Sequence, residues 1–172
     1  MVRYADPGVV EWVESGGGPL IAVPETVLPF WAGADGDETA SDYDRACEVE
    51  GYVGLLPVGD SAALVLGDEP ASTAFLPEHR TFVRWCAANS EDELLAGVPA
   101  AIATASWEDE VQWQVPGAVV LFDSAWPGGE TGRTDSLRVV LDPGRYAVRA
   151  ANVRPGPETW LGLVQLRRLE HG

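Results

Sequence analysis

The chain contains no lysine, so each of its 11 fixed side-chain cations is an arginine, set against 27 aspartates and glutamates. The net charge of −16 argues against direct nucleic-acid binding, because a surface this negative repels a phosphate backbone. Cysteine and histidine are just as scarce: Cys47, Cys86, His79 and His171 are all that 172 residues hold. Two cysteines cannot make a disulfide framework, and they fit reduced thiols in a cytoplasmic protein. No zinc-ligand pair occurs among these residues, and Ser, His and Asp show no catalytic spacing. No apolar run approaches the roughly 20 residues of a membrane helix. The opening MVRYADPGVVEW has no apolar core of signal-peptide length, so a cytoplasmic protein without membrane contact is expected. The glycines of Ser15-Gly16-Gly17-Gly18-Pro19 do not form a phosphate loop, since no Lys-Ser/Thr follows and Pro19 blocks the required helix. The sequence therefore points to no catalytic residue, no metal and no cofactor.

What is present is an ordinary globular composition, 46% apolar, with seven tryptophans. This length fits one domain over residues 1–172, or two small lobes, 1–110 and 111–172, sharing a core. The charge is uneven between those portions. Residues 1–110 carry 21 acids against 4 arginines, a balance of −17, and residues 111–172 carry 6 acids against 7 arginines, a balance of +1. Such a surface attracts a basic protein and speeds the encounter with it.

Turn chemistry and periodicity divide the chain into short elements. Val9–Glu14 reads as a strand, the glycine run breaks it, and Leu20–Val23 resumes. Pro24-Glu25-Thr26 opens about one helical turn with Val27, Leu28, Phe30 and Trp31 as its apolar face, limited by Pro29. The loop 32–41 carries Asp35, Asp37 and Glu38 without the ligand spacing of a calcium loop. Asp42 caps a helical turn, and a hairpin of Val53–Val58 and Ala62–Leu66 follows around Gly59-Asp60-Ser61. Pro57 places the first of these strands at an edge. Gly67-Asp68-Glu69-Pro70 closes the unit as a turn.

Ser72–Leu76 and Thr81–Ala87 are strands, and Ser90 with Glu93 marks a capping box for a helix ending near Gly97. Residues 100–105 fit either a helix or a strand. Beyond Trp107 the pattern is of strands: Val111–Val115, a central Ala118–Phe122, Leu137–Leu141, Arg145–Asn152 and Trp160–Leu169. In the fourth, Tyr146, Val148 and Ala150 point inward while Arg145, Ala147 and Arg149 point out. This portion reads as a β-meander. The fold class is α+β, mainly antiparallel β as a sandwich or open barrel, with a few short helices.

Two acid pairs, Asp42/Asp44 and Asp68/Glu69, have the chemistry of a carboxylate-dependent hydrolase, and read more simply as a helix start and a turn. Trp126, followed by Pro127-Gly128-Gly129, is the tryptophan placed in a loop, where it fits a protein-binding hot spot.

Several of these segments resemble the immunity protein 21 family: Trp12-Val13-Glu14-Ser15-Gly16-Gly17-Gly18-Pro19-Leu20, then Asp42-Tyr43 with Arg45 and Cys47, the Gly51–Pro70 hairpin, and Leu121 through Gly128. The resemblance runs from Trp12 to Leu169. It implies an antidote in a bacterial polymorphic toxin system, encoded beside a secreted toxin and binding it in the cytoplasm by occlusion, without catalytic residues. Combined with the charge, it directs Asp42, Asp44, Asp68, Glu69 and Trp126 toward a basic toxin domain such as a nuclease. Two alternatives remain at this stage. One is an acidic interaction module unrelated to toxins; the other is a hydrolase with a pocket converging on Asp42, Asp68 or Asp123.

Overall fold

Gly59 takes φ 58° at the tip of a two-residue turn, a conformation open to glycine at no Cβ cost, and this folds Val53–Val58 back on Ser61–Leu66. The same local logic of apolar runs and tight turns produces eleven strands among the residues that the computed structural model describes, 2–4, 10–35, 41–67 and 70–169. In chain order they are β1 (Val2–Tyr4), β2 (Leu20–Pro24), β3 (Val53–Val58), β4 (Ser61–Leu66), β5 (Ser72–Leu76), β6 (Thr81–Ala87), β7 (Glu108–Val115), β8 (Val119–Asp123), β9 (Ser136–Val139), β10 (Gly144–Gly156) and β11 (Thr159–Arg168). Three short helices, α1 (Asp42–Cys47), α2 (Glu91–Ala96) and α3 (Val98–Thr104), and 3-10 turns at Glu25–Phe30 and Gly128–Glu130 complete the described elements.

The strands form two open sheets, ordered β1-β9-β8-β2-β4-β3 and β5-β6-β11-β10-β7. All described pairings between strands are antiparallel except β1 with β9. Each sheet takes strands from both sides of residue 110. The layer between them is apolar, with Leu20, Leu64, Leu121 and Leu137 from one sheet against Phe82, Trp113, Val148 and Val164 from the other. Trp113 also donates its indole N–H to the Ala62 carbonyl at 2.8 Å, joining the two sheets along one side. The outer face of the six-stranded sheet is roofed by the Glu25–Phe30 turn, Trp31 and α1, over Ile21, Val65, Val120 and Phe122. Part of the opposite outer face lies under α2 and α3, which bury Leu94, Val98 and Ala101 against Val83, Leu161 and Leu163.

The mainly antiparallel architecture with few short helices is as expected, and β3 with Pro57 does lie at a sheet edge. Residues 100–105 resolve into the end of α3. Four details differ. First, the expected strand at Val9–Glu14 is a single bridge between Val13 and Thr73, with Val9 outside the described residues. The next backbone donor, Glu14 N–H, turns instead to the Asp135 carboxylate at 2.8 Å. Second, the chain beyond Trp107 is not a meander. β8 and β9 cross into the other sheet because β8, buried at every position, needs a strand on both sides and finds β2 and β9. Third, Ser41 rather than Asp42 caps α1, exchanging hydrogen bonds with Asp44 in a capping box. Fourth, Ala147 points outward yet is buried, flanked in register by the long side chains of Arg167 and Gln112. Ser90 caps α2 as expected, while the Glu93 carboxylate accepts from the Thr159 hydroxyl at 3.2 Å.

The roof is tied to β9 by Arg138, whose Nε and Nη2 donate to the two Glu25 oxygens at 2.5 and 3.2 Å. That hydrogen-bonded guanidinium lowers the Glu25 carboxyl below its ordinary 4.5, against a smaller opposing effect of burial. A depressed folded-state value means the bridge stabilises the fold above the unfolded value, a contribution lost as pH falls through the folded one. Unfolding free energy measured from pH 7 to 3 should therefore decline below pH 4.5 less steeply in Glu25→Gln than in the parent.

Candidate functional site

The Glu25–Phe30 turn carries Pro29 inside it and ends at Phe30, and Trp31 leaves it in an extended conformation with φ −85° and ψ 115°. That change sends the Trp31 ring inward, where it is 1% exposed and donates its indole N–H to the Ser124 carbonyl at 3.0 Å. The loop after β8 then follows the roof residue by residue. Gly128 N–H donates to Trp31 O at 2.8 Å and Ala34 N–H to Ala125 O at 3.0 Å. Gly33, at φ 63°, lies so close that a Cβ there would come within 2.6 Å of both Ala125 O and Trp126 C. Its own carbonyl receives Tyr43 N–H at 3.0 Å, and Asp42 Oδ2 receives Ala32 N–H at 2.8 Å. Thus α1, residues 31–34 and residues 123–128 form one fastened platform.

Asp123 anchors that platform from beneath. Its carboxylate is 7% exposed and accepts Gly16 N–H at 2.8 Å and Ala125 N–H at 3.0 Å, while Ser124 Oγ donates to Pro19 O at 2.6 Å. The glycine run is therefore a close-packing segment. A Cβ on Gly18 would meet the Tyr43 ring at 2.4 Å. The Tyr43 phenol is raised above its ordinary 10.0, first by its hydrogen bond with the Cys47 thiol, then by that thiol's charge, slight burial and the Asp123 and Asp44 carboxylates. No disulfide joins Cys47 and Cys86.

The structure brings Asp42, Asp44 and Trp126 onto this platform. Asp42 is half-buried, held by Ala32 N–H and ion-paired to Arg45. Asp44 is exposed and accepts Ser41 N–H at 3.1 Å. Trp126 is 50% exposed beside them. Asp68 and Glu69 lie outside the described residues, as do His171, Asp37 and Glu38. The neighbours of the acid pair, Gly67 and Pro70, line a cavity of about 150 Å³ with Tyr43 and Cys47. Each of Asp42, Asp44 and Asp123 holds backbone N–H groups, which is a structural use of a carboxylate. Among the described residues no group of three or more potential metal ligands occurs, and no helix is long and apolar enough to cross a membrane.

One surface residue was not legible in the sequence. Phe30, expected on the apolar face of its turn, is 66% exposed because Val27 and Trp31 take the inward places. It rests against the β3–β4 turn and helps line a groove of about 610 Å³ with Val27, Gly59, Asp60 and Pro116. The available signal was Pro29 itself, since a turn cut short leaves its last side chain without a face to join. Phe30 and Trp126 are the large exposed aromatics among the described residues, and Asp35, Asp44, Glu48 and Glu50 are exposed as well.

A family model described as Immunity protein 21 matches residues 11–159. No curated protein and no solved structure matches the chain.

Exposed aromatics and a strained glycine should separate cleanly in stability. Phe30→Ala and Trp126→Ala should each change the unfolding free energy by less than about 0.5 kcal/mol in urea titration. Gly33→Ala, which forces a side chain into a left-handed site and into the loop backbone, should cost at least about 1–2 kcal/mol.

Proposed function

The chain belongs to the immunity protein 21 family, and on that premise we propose that it captures a cognate toxin domain and neutralises it by covering the toxin's working surface, without chemistry of its own. The observation that carries this reading is the exposed Trp126 on the same fastened platform as Asp42 and Asp44. A large aromatic surrounded by charge is the composition of a binding hot spot. Phe30 extends the apolar part of that face, and Asp68 and Glu69 are proposed to take part in the contact. The rigid attachment of the platform favours binding, since little side-chain and loop freedom remains to be lost on association.

The partner is a basic protein, in keeping with a net charge of −16. A nuclease fits, because its substrate is a polyanion and its surface is correspondingly positive. Carboxylates steer the encounter over long range while the aromatics hold the complex once formed. The two proteins meet in the cytoplasm of the producing cell.

The test pairs this chain with the toxin candidate that the reading requires, the C-terminal domain of a large secreted protein encoded beside it. Asp44→Asn with Trp126→Ala should weaken capture by about 30-fold or more, corresponding to roughly 2 kcal/mol, and should fail to rescue growth of cells expressing the toxin domain. Adding Asp68→Asn and Glu69→Gln should slow association further and reduce its salt dependence. Undiminished rescue by the four-residue variant overturns the assigned face.

A further inference from the structure

On the side of the molecule opposite the platform, arginines gather on the uncovered part of the five-stranded sheet. On β10, Tyr146 and Val148 enter the inter-sheet core, which leaves Arg145 and Arg149 on the outer face of the five-stranded sheet. On β11, Leu166 points inward and Arg167 outward, level with Ala147 in register. Three guanidinium groups thus rise from one pleated surface, with Arg167 midway along the strand direction between Arg145 and Arg149. The steps are two residues each, roughly 7 Å.

Such crowding is costly unless an anion relieves it. The ion pairs among the described residues join Arg3, Arg45 and Arg138 to carboxylates, and none involves an arginine of β10 or β11. Glu110 stands opposite Arg149 in register and offsets part of its charge without forming a bridge. The Arg149 guanidinium is held below its ordinary range, first by burial and then by the charge of Arg167. In a chain with 27 acids, like charges have been set side by side on a sheet face.

The site is also built. Arg149 stacks on Trp107, 4.1 Å from the ring centroid. Its Nε and Nη2 donate to Gln165 Oε1 at 3.0 and 2.7 Å, which leaves the Gln165 NH2 group turned away from the guanidinium. Arg149 is thereby pre-set, while Arg145 and Arg167 are exposed.

We propose that this outer face of β10 and β11 docks an extended, carboxylate-bearing segment of a second protein, with acids at alternate positions lying along Arg145, Arg167 and Arg149. Carboxylates two residues apart in an extended chain repeat at the arginine spacing, and guanidinium groups donate to them in charge-assisted hydrogen bonds. A nucleic acid fits less well. Every added nucleotide brings another charge against a molecule of net charge −16, whereas two or three carboxylates meet only the arginines. This inference does not rest on the toxin-binding reading, which uses the other side of the sandwich.

The test is fluorescence anisotropy of a labelled peptide alternating glutamate and threonine, titrated with the full chain at low salt. A glutamine–threonine peptide and an oligothymidylate of similar length serve as comparisons. The glutamate peptide should bind, the glutamine peptide should not, and Arg145→Gln with Arg167→Gln should weaken binding about tenfold or more. Circular dichroism checks the fold of that variant, and Arg167→Gln alone replaces it if the pair does not fold. Asp44→Asn with Trp126→Ala should bind the peptide as the parent does, so failure of the toxin-binding reading leaves this result untouched. Absence of peptide binding, equal binding by the arginine variant, or tighter binding of the oligothymidylate overturns the proposal.

Discussion

The hydrogen bonds around the end of β8 are the constraint on which the presented surface depends. Asp123 gathers Gly16 and Ala125 N–H groups, and the next residue, Ser124, accepts from the Trp31 indole and donates to Pro19. Three loops distant in sequence are thereby held to a strand that lies inside the six-stranded sheet. Removing one partner would leave buried polar groups unsatisfied, which costs more than the bond itself contributes. The roof over Phe122 and Val120 can therefore be rich in turns and acids without being loose. Its glycines serve closeness at Gly33 and Gly18, where the opposing backbone and ring leave no room for a side chain.

This arrangement divides the work of the carboxylates. Those that hold backbone, Asp42, Asp44 and Asp123, fix geometry and are not free to reorganise. The exposed Asp35, Glu48 and Glu50 add to the surrounding field without a described structural task. A partner approaching this side meets negative potential first and aromatic surface second. On the far side it meets guanidinium groups. The asymmetry follows from which strands face outward, since both portions of the chain contribute to each sheet.

Much of the fold was legible because it is set by local chemistry. The Gly59 hairpin, the edge position of Pro57, the Ser90 cap and the inward set Tyr146, Val148 and Ala150 follow from turn propensity and a period of two. The crossing of β8 and β9 between sheets was not legible, because partner choice is a long-range matter that an apolar run such as Val119–Asp123 leaves open. At the site, the exposure of Trp126 followed from its Pro-Gly-Gly context. Phe30 was misplaced because a 3-10 turn does not sort its side chains as an α-helix would. The sequence also showed that Arg145 and Arg149 share a face. It could not show that neither would meet a carboxylate bridge, since that depends on strands brought in from elsewhere.

The sheet margins carry a consequence for life at high concentration. β3 ends one sheet with a proline, β1 ends the other side as a three-residue strand, and β7 borders the second sheet with Glu108 and Glu110 near its start. Each is a poor template for another chain: one lacks a donor, one is too short, and one repels its copy. Three of the four margins of the two open sheets thus resist edge-to-edge pairing, and β5, the fourth, is bridged at Thr73 by Val13.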